Sequence, residues 1–135
     1  MTPDQLMGKA GRAVASAKLL LNDGDVNGAC NRAYYGMFDA ARAALLALVS
    51  GIDPALVKTH GGLISMFSLH FVKPGILPLE LGRSLNRAHE VRLIADYVGE
   101  EVSVEQARSV IEHAAVFTEA IRAHILSEPP GGAAS

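Results

Sequence analysis

At 135 residues, half of them hydrophobic and 5% aromatic, the chain is long enough for one domain with a real core and too short for two. Its abundant Ala and Leu suit helices packed through small and aliphatic side chains, and a net charge of −2 excludes a global basic field able to hold long nucleic acid, so any phosphate site must be local. A single cysteine, Cys30, excludes an intramolecular disulfide framework and a cysteine-based zinc site and fits a reducing compartment.

Taken in chain order, "MTPDQL" starts the first helix: Thr2 caps, Pro3 suits the first helical position and Gln5 returns the cap's hydrogen bond. The start lacks the basic residues and apolar core of a secretory leader, and no apolar stretch reaches membrane-span length, so a cytoplasmic protein without a membrane segment is expected. Leu6, Ala10, Ala13, Ala17, Leu20 and Leu21 recur at helical spacing to about Asn22, leaving Lys9, Arg12 and Lys18 for solvent. "NDGD" breaks the helix, and Asp25 caps a second one over 26–50, closed by Gly51 and Pro54. Cys30, Ala33, Tyr34, Met37, Ala41, Ala44, Leu45 and Leu48 give it a broad apolar face. Gly28, Arg32, Tyr35, Gly36, Asp39 and Ala43 line a neighbouring small and polar face.

"KTHGGLISMFSLHFVKPG" predicts a short third helix over 59–72 with Leu63, Ile64, Phe67 and Phe71 inward. A fourth helix over 79–98 buries Leu81, Leu85, Ala88, Val91 and Ala95 and sets His89, Arg92 and Asp96 on one polar stripe. Ser103 and Gln106 form a second capping box, opening a fifth helix to about Leu126 through Val110, Ala114, Phe117, Ile121 and Ile125. The reading is therefore all-α, an up-and-down bundle of four to five helices over 1–127, followed by a flexible tail at 128–135 whose Pro, Gly and Ser have nothing to bury.

Two polar constellations stand out. Arg32, Tyr35 and Asp39 sit inside an apolar run, where charged groups need partners: either they lock helix register, or the guanidinium faces a cleft and holds a phosphate or carboxylate. His89, Arg92 and Asp96 form either an ordinary Arg92–Asp96 pair one turn apart or a site for phosphodiester cleavage, with imidazole moving a proton and guanidinium stabilising charge on phosphorus. His60, beside two glycines at a helix start, is either a turn residue or part of an anion site. Neither spacing nor residue type predicts a metal site or a cofactor: His70, His113 and His124 are isolated, and no phosphate-binding glycine loop or nucleophile elbow is present.

The combination of "ACNRAYYGMFDAARAALL" at 29–46, "KTHGGLISMF" at 58–67 and "EVRLIADY" at 90–97, followed by a terminal helix, resembles the HEPN family in its small stand-alone prokaryotic branch. The resemblance spans residues 5 to 125 and implies a helical bundle that dimerises, with its polar groups around an interface cleft. It also implies a nucleotidyltransferase partner in a toxin–antitoxin pair and binding of RNA or a nucleotide, with metal-independent cleavage of RNA in active members. Such members carry Arg followed four to six residues later by His; here Arg92 is followed by Asp96 and Tyr97, so the expected catalytic set is Arg92, Asp96 and His89. Arg83 also precedes His89 with five residues between, but its place does not line up with this branch's arginine. Arg32, Tyr35, Asp39, His60 and Tyr97 are the expected RNA- or nucleotide-binding residues, with Arg32, Tyr35 and Asp39 as one cleft wall and Arg92, Asp96 and Tyr97 as the other. In some relatives the tyrosine near the motif receives a nucleotide from the partner, which points to Tyr97. The rival readings are a non-catalytic dimerisation or binding module and, further off, a helical metabolic enzyme unrelated to RNA.

Overall fold

A computed structural model describes residues 1–98 and 102–128, the side chain of Val98 excepted. Helix α1 spans Pro3–Asn22, α2 Val26–Leu48, α3 His60–Phe67, α4 Leu79–Leu93 and α5 Val104–Ser127, and no strand occurs among the described residues. All but Glu128 of the tail expected at 128–135 lies outside the described residues.

The caps act as their residue types require. Thr2 with Gln5 and Ser103 with Gln106 close reciprocal capping boxes on α1 and α5, while Asp25 and Thr59 accept the N–H groups of Gly28 and Gly62. Gly24, at φ +90°, takes the left-handed conformation that turns the chain back so that α2 runs antiparallel to α1.

Boundaries differ from expectation where the helices change pitch. Helix α2 stops at Leu48, and Pro54–Val57 forms a 3₁₀ turn ahead of α3. The third and fourth predicted helices both pass into a wider π-turn, at Ser68–Val72 and Ile94–Val98. Each π-turn inserts one extra residue per turn and rotates the side chains beyond it to a new direction. At the end of α4 it carries Asp96 and Tyr97.

Helix α2 is the centre of the bundle and touches each of the other four α-helices. Its alanines at 29, 33, 40, 41, 43 and 44 are fully buried and leave room for close approach on several sides. The closest approach is to α1 at Gly36, where a Cβ would lie 3.0 Å from Val14 Cγ2 and 3.2 Å from the Ala10 carbonyl oxygen. At the far end of the core Phe67 packs against Phe71 and Phe117, with ring centroids 5.4 and 5.3 Å apart, tying α3 and its π-turn to α5. Ile64, Leu20, Leu21, Leu48, Ala95 and Ile125, expected inside, are only partly buried and pad the core from its edge. Cys30 is a core residue; burial, with the Asp96 charge adding to it, pushes its thiol up to about 11 and keeps it neutral.

Candidate functional site

The polar side chains that converge come from three segments. On α2, Asn27, Asn31, Tyr34, Tyr35 and Phe38 recur at steps of three and four and face the start of α3 and the end of α4. Asn27 Nδ2 donates to the Ala95 carbonyl at 3.3 Å, and its Oδ1 accepts from the Val102 N–H at 3.2 Å. Asn31 Nδ2 donates to Asp96 Oδ2 at 3.2 Å, and Arg92 Nε donates to the same oxygen at 3.0 Å. Two amides of α2 thus hold the π-turn in place, and its carboxylate holds the arginine.

Arg92 is 7% exposed, so its charge needs partners beyond one carboxylate. The guanidinium carbon lies 5.3 Å from the Tyr35 ring centroid, 5.8 Å from Tyr34 and 5.7 Å from Tyr97, distances at which aromatic faces attract a cation.

His60 is the first residue of α3, and Thr59 caps that helix beside it. Its Nδ1 lies 2.7 Å from the Tyr34 hydroxyl and its Nε2 lies 3.5 Å from an Arg92 terminal nitrogen. A guanidinium only donates, so the nitrogen facing it is the unprotonated one, and Nδ1 carries the proton toward Tyr34. His89 stacks on His60, with centroids 5.1 Å apart and planes 23° apart. Burial first, then the Arg92 charge, lowers the pKa of both rings; the His89 neighbour lowers His60 further, whereas Glu90 partly opposes the shift at His89. Both rings therefore favour the neutral, proton-accepting form. Burial raises the Tyr34 phenol, only partly opposed by Arg92, so that hydroxyl stays protonated. An unprotonated imidazole nitrogen beside a guanidinium is an arrangement able to move a proton next to a stabilised negative charge.

A HEPN domain model matches residues 4–124. The chain belongs to the HEPN family. It is 36% identical to the UPF0332 protein glr0978 of Gloeobacter violaceus over 87% of this chain and 92% of that one. It is 34% identical to the protein named "Putative toxin MJ0605" of Methanocaldococcus jannaschii over 81% of this chain and 78% of that one. A UPF0332 protein of Thermotoga maritima is 36% identical over 84% and 83% of the two chains.

In this HEPN chain His89, Arg92, Asp96, Tyr97, Tyr35 and His60 come together at one place. The expected wall of Arg32, Tyr35 and Asp39 does not hold as one surface. Tyr35 turns to Arg92, whereas Asp39 is buried on the α1 side, where Lys9, Arg32 and Arg42 supply the charges it senses. Among the described residues no hydrogen bond or ion pair joins Arg32 or Asp39 to the Arg92 cluster. The reason is geometric: residues 32, 35 and 39 spread over about 60° of helix surface, and α1 and α4 pack on either side of it. Arg83 pairs with Glu80 at 3.0 Å on another face of α4 and lines a cavity of about 520 Å³ with Ser109 and His113 of α5, so it is no partner for His89. None of the clustered side chains lines that cavity, so this opening and the chemistry lie in different places.

Tyr34, Asn27 and Asn31 were not among the expected site residues. Tyr34 reads as core from its spacing, and its ring is indeed fully buried, but its hydroxyl reaches His60. The signal available was the run 27, 31, 34/35, 38, a polar and aromatic stripe at helical steps. Among the described residues no group of three or more His, Cys, Asp or Glu could hold a metal ion, and no helix is long and apolar enough to cross a membrane.

Asp39 supplies a stability test. Burial raises its pKa above the ordinary 3.8 despite the nearby cations, Lys9 first, so the folded state binds its proton more tightly than the unfolded chain does. The stability it contributes is full below that ordinary value and is lost as pH rises through the folded one. Asp39→Asn is expected to raise the melting temperature at pH 7, with the gain vanishing below about pH 4. Thermal melts across that range check it; a destabilised variant at pH 7 would show that the ionised carboxylate is a net stabiliser.

Proposed function

We propose that this HEPN protein is a metal-independent endoribonuclease of the toxin–antitoxin kind, working in the cytoplasm as a homodimer and controlled by a nucleotidyltransferase partner. The observation that carries the reading is His60: a ring kept neutral, oriented by Tyr34 through Nδ1, with its free nitrogen toward the buried Arg92.

In the proposed reaction His60 Nε2 takes the proton of a ribose 2′-hydroxyl and that oxygen bonds to the adjacent phosphorus. Arg92 stabilises the charge that gathers on the phosphoryl oxygens. The bond from phosphorus to the 5′ oxygen breaks, that oxygen takes a proton from the fraction of His89 that is protonated, whose lowered pKa makes it the stronger acid, and the ends left are a 2′,3′-cyclic phosphate and a 5′-hydroxyl. Asp96 holds the guanidinium in register. The homodimer is supported by Leu93, Ile94 and Tyr97, which lie exposed beside this cluster and would be covered by a second copy. Tyr97, 72% exposed yet 5.7 Å from Arg92, is where a nucleotide attached by the partner would fill the site.

The test is cleavage of single-stranded RNA by purified protein with chelator present. Arg92→Lys keeps the charge but loses the planar fork, and is expected to lower the cleavage rate by roughly two to three orders of magnitude, on the order of removing one aligned donor to a developing anion. A rate that survives the substitution would mean a contaminating nuclease.

A second reading, a non-catalytic dimerisation or binding module, is favoured by one observation: the guanidinium is already occupied by Asp96 at 3.0 Å. It predicts that Arg92→Lys changes melting or dimerisation in a protein with no cleavage to lose.

A further inference from the structure

One charged feature is not used by the His60–Arg92 cluster. Arg32, Tyr35, Asp39 and Arg42 leave α2 at steps of three and four, within about 80° of its surface, although the Tyr35 ring turns away toward Arg92. Lys9 of α1 is level with its middle, because the neighbouring Ala10 carbonyl is the backbone group that meets Gly36. The charges of Lys9, Arg32 and Arg42 reach the one buried carboxylate, that of Asp39, and none of the three makes an ion pair among the described residues. Arg42 Nε is buried and without a hydrogen-bond partner. Three cations against one carboxylate leave a local surplus of positive charge in a chain whose net charge is −2. Tyr35 lies between Arg32 and Arg42 in the sequence, and its ring is in contact with the Arg92 guanidinium 5.3 Å away. Arg32 and Arg42 are ten residues apart on one helix, about 15 Å at the usual rise.

We propose that Lys9, Arg32 and Arg42 form a phosphate-binding track for the nucleotides flanking the scissile bond, so that the ligand is single-stranded RNA longer than a dinucleotide. The inference rests on the endoribonuclease reading above and adds to it the substrate's length. A row of cations next to an aromatic ring is what a flexible phosphate backbone with stackable bases recognises. The chain's overall acidity restricts the contact to this row, whereas long duplex would need charge across a wider surface.

The experiment measures binding of a fluorescent twelve-nucleotide 2′-O-methyl RNA, which cannot be cleaved, and of the matching dinucleotide, over a series of salt concentrations. The whole 135-residue chain is used throughout. Replacing Lys9, Arg32 and Arg42 together by Gln is expected to weaken twelve-mer binding by about tenfold or more at low salt, and the salt slope of log K should fall by about 2, close to 0.7 for each phosphate no longer neutralised. The loss for the dinucleotide should be much smaller. Asp39→Asn, which removes the row's one negative charge, is expected to tighten twelve-mer binding. Lys9→Gln, at an exposed position, gives a single-site readout should the triple variant fold poorly, and circular dichroism identifies that case.

Twelve-mer affinity and slope unaffected by Lys9→Gln and by the triple change, in a protein that binds and cleaves RNA, would overturn the track alone. A shift in sedimentation without a change in RNA affinity would also overturn it and make this face a contact between copies. No RNA binding by the unaltered protein would overturn the nuclease reading and the track with it.

Discussion

Replacing His60 by Ala is expected to lower RNA cleavage by roughly two to four orders of magnitude, the usual contribution of a positioned general base. Two features make the expectation steeper than for an ordinary surface histidine. Its tautomer is fixed, because the Tyr34 hydroxyl takes Nδ1 and leaves Nε2 toward Arg92. Its protonation is disfavoured by burial, by Arg92 and by His89. Tyr34→Phe should act through the same ring and lose less, roughly tenfold, the worth of one hydrogen bond of about 1.4 kcal/mol. The pH profile separates a chemical role from a structural one. A base that must be neutral and an acid that must be protonated give a bell, and lowered values at His60 and His89 put its maximum below about pH 6.5. Removing His60 should abolish the acidic limb in whatever activity remains. The same shifts act on stability: the unfolded chain binds these protons more tightly, so the contribution is full above about pH 6.5 and falls away as pH drops through the folded values. A cleavage rate in His60→Ala within about a factor of three of the unaltered protein, with the profile intact, would remove His60 from the mechanism.

Gly36→Leu is expected to destabilise the fold while leaving every charge in place. A Cβ at this position already meets Val14 Cγ2 at 3.0 Å and the Ala10 carbonyl oxygen at 3.2 Å, and three further carbons would have to enter the same space. The second of those neighbours is backbone, so it moves only if α1 moves. Overpacking of this kind is worth about 3 kcal/mol, against which leucine's better helix propensity returns about 1 kcal/mol. The net loss of about 2 kcal/mol corresponds to a fall in melting temperature of roughly 7 °C for a domain this size. Gly36→Ala sets the two effects nearly equal and should melt within about 4 °C of the parent. Denaturant and thermal melts of both variants check the pair, and a Leu variant as stable as the parent would mean that α1 is not held against α2 at this point.

The candidate site was legible one helix at a time. The stripe of His89, Arg92 and Asp96 follows from spacing on one helix, and the structure keeps those three side by side. His60, 29 residues before His89, shares nothing local with it, and only the packing of α3 beside α4 stacks the two rings. Arg92 reads as a polar-face residue from its neighbours, yet it is buried, because tyrosines from α2 and from its own π-turn close over it. Asp39 and Tyr35 look like one surface on a helical wheel, and they part because a helix at the centre of a bundle presents each side to a different neighbour.

By itself the amino-acid order determined where the helices begin, through Thr2, Asp25, Thr59 and Ser103, and which stripes are apolar, since capping and periodicity act within a few residues. It also carried the family, through three short stretches at fixed intervals. Tertiary packing alone decided that the imidazole facing Arg92 is that of His60, that Tyr34 orients it, and that Asn27 and Asn31 fix the turn bearing Asp96. Those pairings span 26 to 68 residues of sequence, and hydrogen-bond geometry at that separation is set by how helices dock, which no local pattern encodes.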